Sequence, residues 1–197
     1  MIIGIDHGNK QVKVPHKIFT SGLLESNIPF PLSSDSLYYN GKYYALTDER
    51  IPYMRDKTVN EKFFILTLFG IAYELMYSNK YVPGMTTEIQ LGIGLPPGHF
   101  GTLYEKFEKY FTRSEPITFE FNQRTFNIAI KSAHAYPQGY AAIVPIHSKI
   151  KQYPRSIIID IGGYSLDYLQ LINGKTDMSV CDPLDMGVIT LYNDIKS

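Results

Sequence analysis

The segment from Ser156 to Leu171 constrains this chain more than any other. Ile157, Ile158 and Ile159 form a run of apolar β-formers, and a carboxylate, Asp160, stands at its end. Gly162 and Gly163 follow, then Ser165, and a second strand-like run opens at Leu166. The pattern predicts a hairpin whose tip is mostly backbone. Glycines at such a tip let main-chain N–H groups approach an anion without interference from side chains. A carboxylate beside a phosphate cradle commonly holds Mg²⁺ through water. An ordinary tight hairpin with Gly-Gly in its turn fits the same residues, so this segment alone leaves both readings open.

The N-terminus repeats the pattern. Met1 to Ile5 is largely apolar, Asp6 ends the run, Gly8 and Asn9 occupy a short turn, and Val12 and Val14 resume an alternating strand. Two strand–Asp–Gly–strand hairpins, one near each end of the chain, are suited to clamp one phosphate chain from both sides. In this the sequence resembles the actin superfamily of ATPases, and within it the actin-like plasmid-segregation proteins of the ParM/StbA type. Further pieces match in the same order: an Asn40-Gly41 turn, a Gly94-Leu95-Pro96 loop, Pro137-Gln138-Gly139-Tyr140, and Met186-Gly187-Val188.

Composition narrows the alternatives. Lys plus Arg and Asp plus Glu are each 19, for a formal net charge of zero. That argues against a strongly electrostatic nucleic-acid binder, which needs clustered positive charge. Hydrophobic residues make up 44% of the 197, enough for a real core. Cys181 is the single cysteine, so an internal disulfide framework is excluded and a reducing, cytoplasmic setting is expected. With no histidine or basic neighbour in sequence, Cys181 reads as a small hydrophobe rather than a nucleophile. No signal peptide is expected, and Phe63 to Tyr77 is too short to span a membrane.

Between the hairpins the chain alternates strands and helices, which predicts an α/β fold. Phe19 to Ser36, with Pro29, Pro31 and several serines, reads as irregular connection. Leu37 to Leu46 reads as an aromatic hairpin around Asn40-Gly41. Asn60 to Asn79 is expected to be a helix, capped by Asn60 and apolar nearly all round, hence deeply buried. A strand is expected from Thr87, breaking in the loop at Pro96-Pro97-Gly98. Thr102 to Phe111 suits an amphipathic helix whose aromatic stripe, Tyr104, Phe107, Tyr110 and Phe111, belongs to the core. Ile117 to Ile130 is a further hairpin, small residues after Gly139 suggest a closely packed helix, and Asn173-Gly174 marks another turn.

The resemblance implies a ribonuclease-H-like (actin-like) fold, a mixed sheet flanked by helices with inserted hairpins. Residues 1–150 would form the first domain, with a small-subdomain insertion around 15–58 and a hairpin at 116–131. Residues 151–197 would start a second domain, whose later adenine-binding Gly-Gly segment this sequence lacks. The expectation is therefore a cut-down or naturally short form, a poor ATPase by itself. Residue by residue, Asp6 and Asp160 would order the waters of Mg²⁺. Gly8, Asn9, Gly162, Gly163 and Tyr164 would contact ATP, or GTP, through the turns, and Lys13 would reach the phosphates. Gln138 is the candidate for orienting the attacking water, with His134 the alternative, and water attack on the γ-phosphorus is the implied chemistry. Asp167 is carried only as a family-like position beside a turn-capping role. The implied function is ATP hydrolysis by a homopolymeric filament that segregates plasmid or phage DNA through an adaptor protein. A non-catalytic assembly module of the same fold and a small-molecule kinase of the superfamily remain open, though no substrate-facing general-base Asp stands out for the kinase.

Overall fold

A computed structural model describes residues 1–31, 35–54, 56–163, 165–177, 184 and 187–196. Cys181 and Tyr164 lie outside the described residues. The chain forms two compact units, residues 1–93 with 106–134 and residues 94–105 with 135–197.

The first unit is built on a sheet. Its opening strands are β1 (Ile2–His7), β2 (Gln11–Val14), β3 (Lys17–Thr20) and β4 (Leu23–Ser26). Next come β5 (Ser36–Tyr39), β6 (Lys42–Leu46), β7 (Thr86–Leu95), β8 (Ile117–Phe121) and β9 (Arg124–Pro137). They line up in the order β3-β2-β1-β7-β9-β8-β5-β6-β4. The hairpin neighbours run antiparallel. The β1–β7 junction is parallel: the Met1 amino group donates to the Glu88 carbonyl at 2.6 Å, and the Gln90 N–H donates to the Met1 carbonyl at 2.8 Å. One residue bonding to partners two apart is the staggered parallel pattern, so the sheet is mixed.

The stretch from Phe19 to Ser36, expected to be irregular, contains the end of β3, the whole of β4 and the first residue of β5. Phe19 and Thr20 end β3, and β4 pairs with β6 from Leu23 opposite Leu46 to Ser26 opposite Tyr43. Backbone pairing against a strand already anchored in the sheet outweighs the turn-prone composition nearby. Since β3 and β4 are the two edges of the order yet are separated only by Ser21 and Gly22, the edges come back to one another at that dipeptide.

Helix α1 (Lys62–Tyr77) buries Phe63 through Ala72 without a break, together with Glu74 and Leu75. That matches its all-round apolar character. The expected cap is met in part. Glu61 is the N-cap residue and makes no side-chain cap bond, while Asn60 Oδ1 accepts from the Lys62 N–H at 3.0 Å. The Phe64 N–H, unsatisfied within the helix, donates at 2.9 Å to the hydroxyl of Tyr110, which in turn donates to the Asn60 carbonyl at 2.7 Å. Tyr110 belongs to α2 (Pro97–Phe111), which starts five residues earlier than expected because Pro97 suits a first helical position. Phe107 and Phe111 of the expected stripe are buried, whereas Tyr104 is exposed and stacks on Phe100 at 5.5 Å.

The second unit holds β10 (Arg155–Ile161), β11 (Leu166–Ile172) and β12 (Lys175–Asp177) in that order, all antiparallel. The helix expected after Gly139 is short. It appears as single turns, α3 (Tyr140–Ile143), a 3₁₀ turn at Val144–Ile146 carrying Pro145, and α4 (His147–Ile150), since proline cannot continue an α-helix. A longer helix, α5 (Val188–Lys196), starts at the Val188 of the Met186-Gly187-Val188 piece. The Asn40-Gly41 and Asn173-Gly174 turns have positive φ at both residues (49° and 81°, 51° and 77°), as two-residue hairpins of this type require. Among the described residues no helix is long and apolar enough to cross a membrane.

The Tyr110 hydroxyl gives a stability prediction. Tyr110→Phe should lower unfolding free energy by about 1–2 kcal/mol, the cost of leaving a part-buried helix N–H unsatisfied. Urea denaturation is the check, and an unchanged midpoint would show that the cap is not supported by this hydroxyl.

Candidate functional site

Each unit carries one strand–Asp–Gly turn, and the two are built alike. In the first, β1 ends through Asp6 and His7 and the turn passes through Gly8 to Gln11. In the second, β10 ends through Asp160 and Ile161 and the turn passes through Gly162 to Ser165. The aspartate pairs across its ladder with the residue seven positions on, Asp6 with Lys13 and Asp160 with Asp167. The glycine two positions after the aspartate is required in both. A Cβ on Gly8 would stand 2.6 Å from the Gln11 carbonyl oxygen, and one on Gly162 would stand 2.9 Å from the Ser165 carbonyl oxygen. Both distances are shorter than real Cβ contacts, and the obstacle is backbone rather than a mobile side-chain tip. The pattern is thus an aspartate, a glycine two positions on, and a carbonyl five positions on that only glycine can face.

The surroundings of the first turn are polar and buried. Lys13 Nζ lies 3.4 Å from Asp6 Oδ2, a half-exposed pair across the ladder. His7 is fully buried, its ring stacked on Phe111 with centroids 4.7 Å apart. Its Nε2 meets Thr67 Oγ1 at 2.7 Å. The Thr67 hydroxyl donates its proton to the Phe63 carbonyl at 2.8 Å, so the His7 Nε2–H is the donor and Nδ1 carries the lone pair. That Nδ1 is buried without a hydrogen-bond partner. Burial first, and the nearby Lys57 ammonium second, push the imidazole down to about 3, so it is neutral throughout the physiological range. The Lys57 ammonium donates to the His7 carbonyl, and the Ser21 hydroxyl donates to the Gly8 carbonyl at 2.6 Å.

In the second turn the Gly162 N–H donates to the Ser165 carbonyl at 2.8 Å, closing it. The Ser165 hydroxyl donates to Asp167 Oδ2 at 2.9 Å, so Asp167 supports the turn from inside while Asp160, opposite it, is exposed. The first N–H groups of α5 close over this turn. Val188 donates to the Gly162 carbonyl at 3.0 Å and Ile189 to the Gly163 carbonyl at 2.9 Å.

The structure gathers Asp6, Gly8, Asn9 and Lys13 on one hairpin and Asp160, Gly162 and Gly163 on the other. His134 is an exposed residue of β9, and Gln138 follows that strand, its N–H donating to the Leu95 carbonyl at 2.8 Å. Sequence reasoning missed Ser21, Lys57 and the buried state of His7. The signal available for Ser21 was its place beside Gly22 between two short β-prone runs. Lys57 carried none, because its partner is a backbone atom far away in sequence. Among the described residues no three His, Cys, Asp or Glu side chains gather to hold a metal. Asp6 on one hairpin and Asp160 on the other suit Mg²⁺, which keeps several waters and binds through one or two carboxylates plus substrate phosphates.

A family model, the N-terminal domain of actin-like proteins, matches residues 4–140. The chain belongs to the actin-like protein family. A search of curated protein sequences found no match. Among solved structures, apo ParM of psk41 is similar at 16% identity and a TM-score of 0.75, over 100% of this chain and 70% of that one. An AlfA filament bound to AMPPNP is similar at 17% identity and a TM-score of 0.73, over 96% of this chain and 71% of that one. Ta0583, an archaeal actin homolog solved with ADP, gives 20% identity and a TM-score of 0.67, over 95% and 61% of the two chains. These likenesses establish the expected α/β actin-like fold, with its mixed sheet flanked by helices.

His7 makes acid sensitivity a readout of the first turn. Its folded pKa lies below the unfolded value, so the unfolded chain takes up a proton first and stability falls as pH drops below the unfolded pKa near 6.5. Between pH 7 and pH 5 this contributes a loss of about 2 kcal/mol. Urea unfolding of His7→Leu at the two pH values should show that loss reduced by at least half. An equal loss in both proteins would place the proton uptake elsewhere.

Proposed function

We propose that this chain is an actin-like nucleotide-binding protein that takes Mg·ATP on its two Asp–Gly turns, hydrolyses it, and polymerises into filaments for plasmid or phage DNA segregation. The observation that carries the reading is the repeat of one turn in both units, each with a glycine that backbone crowding makes obligatory and a carboxylate two residues before it. Where a turn carries glycine, main-chain N–H groups lie open to phosphate oxygens. Asp6 and Asp160 are the residues that would hold Mg²⁺ through water. The metal's chemistry is neutralisation of charge on the phosphate oxygens. GTP in place of ATP would use the same turns.

Each residue has a place in this reading. The Asp6 carboxylate would take metal waters while Lys13, across the ladder from it, turns its ammonium to a phosphate oxygen. Gly8, Asn9, Gly163 and Tyr164 would offer main-chain donors to the phosphates, and Gly162, whose own N–H closes the turn, would let the phosphates approach the backbone. Gln138, on the turn after β9, would orient the attacking water, since an amide aligns a nucleophile without taking its proton; His134 is the alternative. The AlfA and Alp12 relatives are filaments, which supports self-assembly here. Neutral overall charge favours an adaptor protein over direct contact with DNA.

Calorimetry with Mg·ATP tests the site. Asp6→Ala and Asp160→Ala should each weaken binding at least about tenfold, the worth of one lost charge-assisted contact. Circular dichroism should be unchanged, because both carboxylates stand outside the core. Phosphate release at the unmutated rate in either variant would sink the assignment. Sedimentation with and without Mg·ATP tests assembly: a nucleotide-dependent pellet is expected, and its absence in the longest natural form would remove the filament role.

A further inference from the structure

We propose that Ser21 and Lys57 are positioning residues of the first turn: by holding the Gly8 and His7 carbonyl groups on the buried side, they aim the Asn9 and Gly8 amides outward at a bound polyphosphate. The inference rests on the nucleotide-binding reading above and assigns roles to two residues outside the Asp–Gly motif.

Peptide geometry sets the direction of these amides. A trans peptide is planar, and its C=O and its N–H, which belong to successive residues, point in opposite directions. Fixing one carbonyl therefore fixes the direction of the next residue's N–H. The Ser21 hydroxyl, on a fully buried residue, holds the Gly8 carbonyl at 2.6 Å and so directs the Asn9 N–H the opposite way. The Lys57 ammonium, only 5% exposed, holds the His7 carbonyl and so directs the Gly8 N–H. Ser21 also takes up the turn's far side, its N–H donating to the Lys10 carbonyl at 3.2 Å. Three carbonyls that would repel an anion are thus drawn to two buried residues.

The anchor is itself rigid. Ser21 accepts from the Ile51 N–H at 2.8 Å, and the Gly22 carbonyl accepts from the Thr47 N–H at 3.3 Å. A Cβ on Gly22 would overlap the carbonyl oxygens of Thr47 and Glu49, so no other residue fits there. The second turn has the same arrangement from a different source. The Val188 N–H of α5 holds the Gly162 carbonyl, the position equivalent to Gly8. Ser21 does with a side chain what the start of α5 does with its backbone. A buried ammonium is costly, and a serine needed only to satisfy itself has no reason to meet the carbonyl that its counterpart turn also has held.

The test uses the whole chain and two probes, Mg·ATP and Mg·tripolyphosphate, followed in ¹H–¹⁵N amide spectra. On saturation the Gly8 and Asn9 amide protons should shift downfield together with tripolyphosphate as with ATP. Ser21→Ala and Lys57→Met, with spectra as dispersed as the parent's, should bind both probes about tenfold more weakly and lose the paired shift. A merely structural role would leave that signature intact in the folded variants. Variants that bind within about twofold of the parent, while Asp6→Asn and Asp160→Asn lose binding, would overturn this inference alone. No binding of either probe by the parent would overturn the nucleotide reading and this one with it. Should both variants fail to fold, the parent's spectra decide: saturation that moves other amides but leaves Gly8 and Asn9 in place overturns the proposal.

Discussion

The direction of a few carbonyl groups governs what the two turns can present. In each, a glycine sits too close to a backbone oxygen three residues on to tolerate any side chain, and its own carbonyl is held by a donor from elsewhere in the same unit. The first condition bares the backbone at the glycine; the second decides which way that backbone faces. Crowding alone would give a tight hairpin without a preferred polarity, and the difference between a structural hairpin and an anion cradle lies in where its acceptors are tied down. The aspartates need less help. Each sits on a regular ladder, where the pleat fixes its side.

Much of this was legible in the sequence. The Asp–Gly repeats, the Asn-Gly turns and the all-apolar helix announce themselves by residue type at fixed spacing, because turn φ values and burial are local demands. What escaped is mainly long-range. Strands β3 and β4 lie in serine- and proline-containing sequence and exist because β2 and β6 offer them edges. The N-cap partner of α1 was sought at Asn60, yet the Phe64 N–H is met by Tyr110, 46 residues away. The stripe on α2 was read as wholly core, and only Phe107 and Phe111 are buried. The likeness to actin-like proteins supplied the order of the pieces, and the family match over residues 4–140 places the chain in that family.

His7 shows how the polar turn and the apolar core meet. Its ring lies among Phe63, Phe107 and Phe111, with one nitrogen bonded to Thr67 and the other without a hydrogen-bond partner. A phenylalanine would pack there with less penalty, since an unsatisfied buried nitrogen costs about 1–3 kcal/mol. The compensation visible in the structure is the Thr67 bond, which ties β1 to α1 directly behind the turn. Burial first, and the neighbouring Lys57 ammonium second, keep the ring neutral.

The two hairpins also separate local from global causes. Ile3 and Ile5, three and one residues before Asp6, are buried at 1% and 2% exposure. Ile157 and Ile159, at the same positions before Asp160, are exposed at 64% and 60%. One strand is packed on that face and the other is open, yet both deliver the same aspartate pairing and the same forced glycine. The turn itself is the same in both. Its form follows from the glycine, the carbonyl that crowds it and the ladder register, all contained within eight consecutive residues. Packing adds the external donors that hold the glycine carbonyls: a serine hydroxyl in one unit and a helix N-terminus in the other. Because the turn is local and its polarity is borrowed, one hairpin design serves both units.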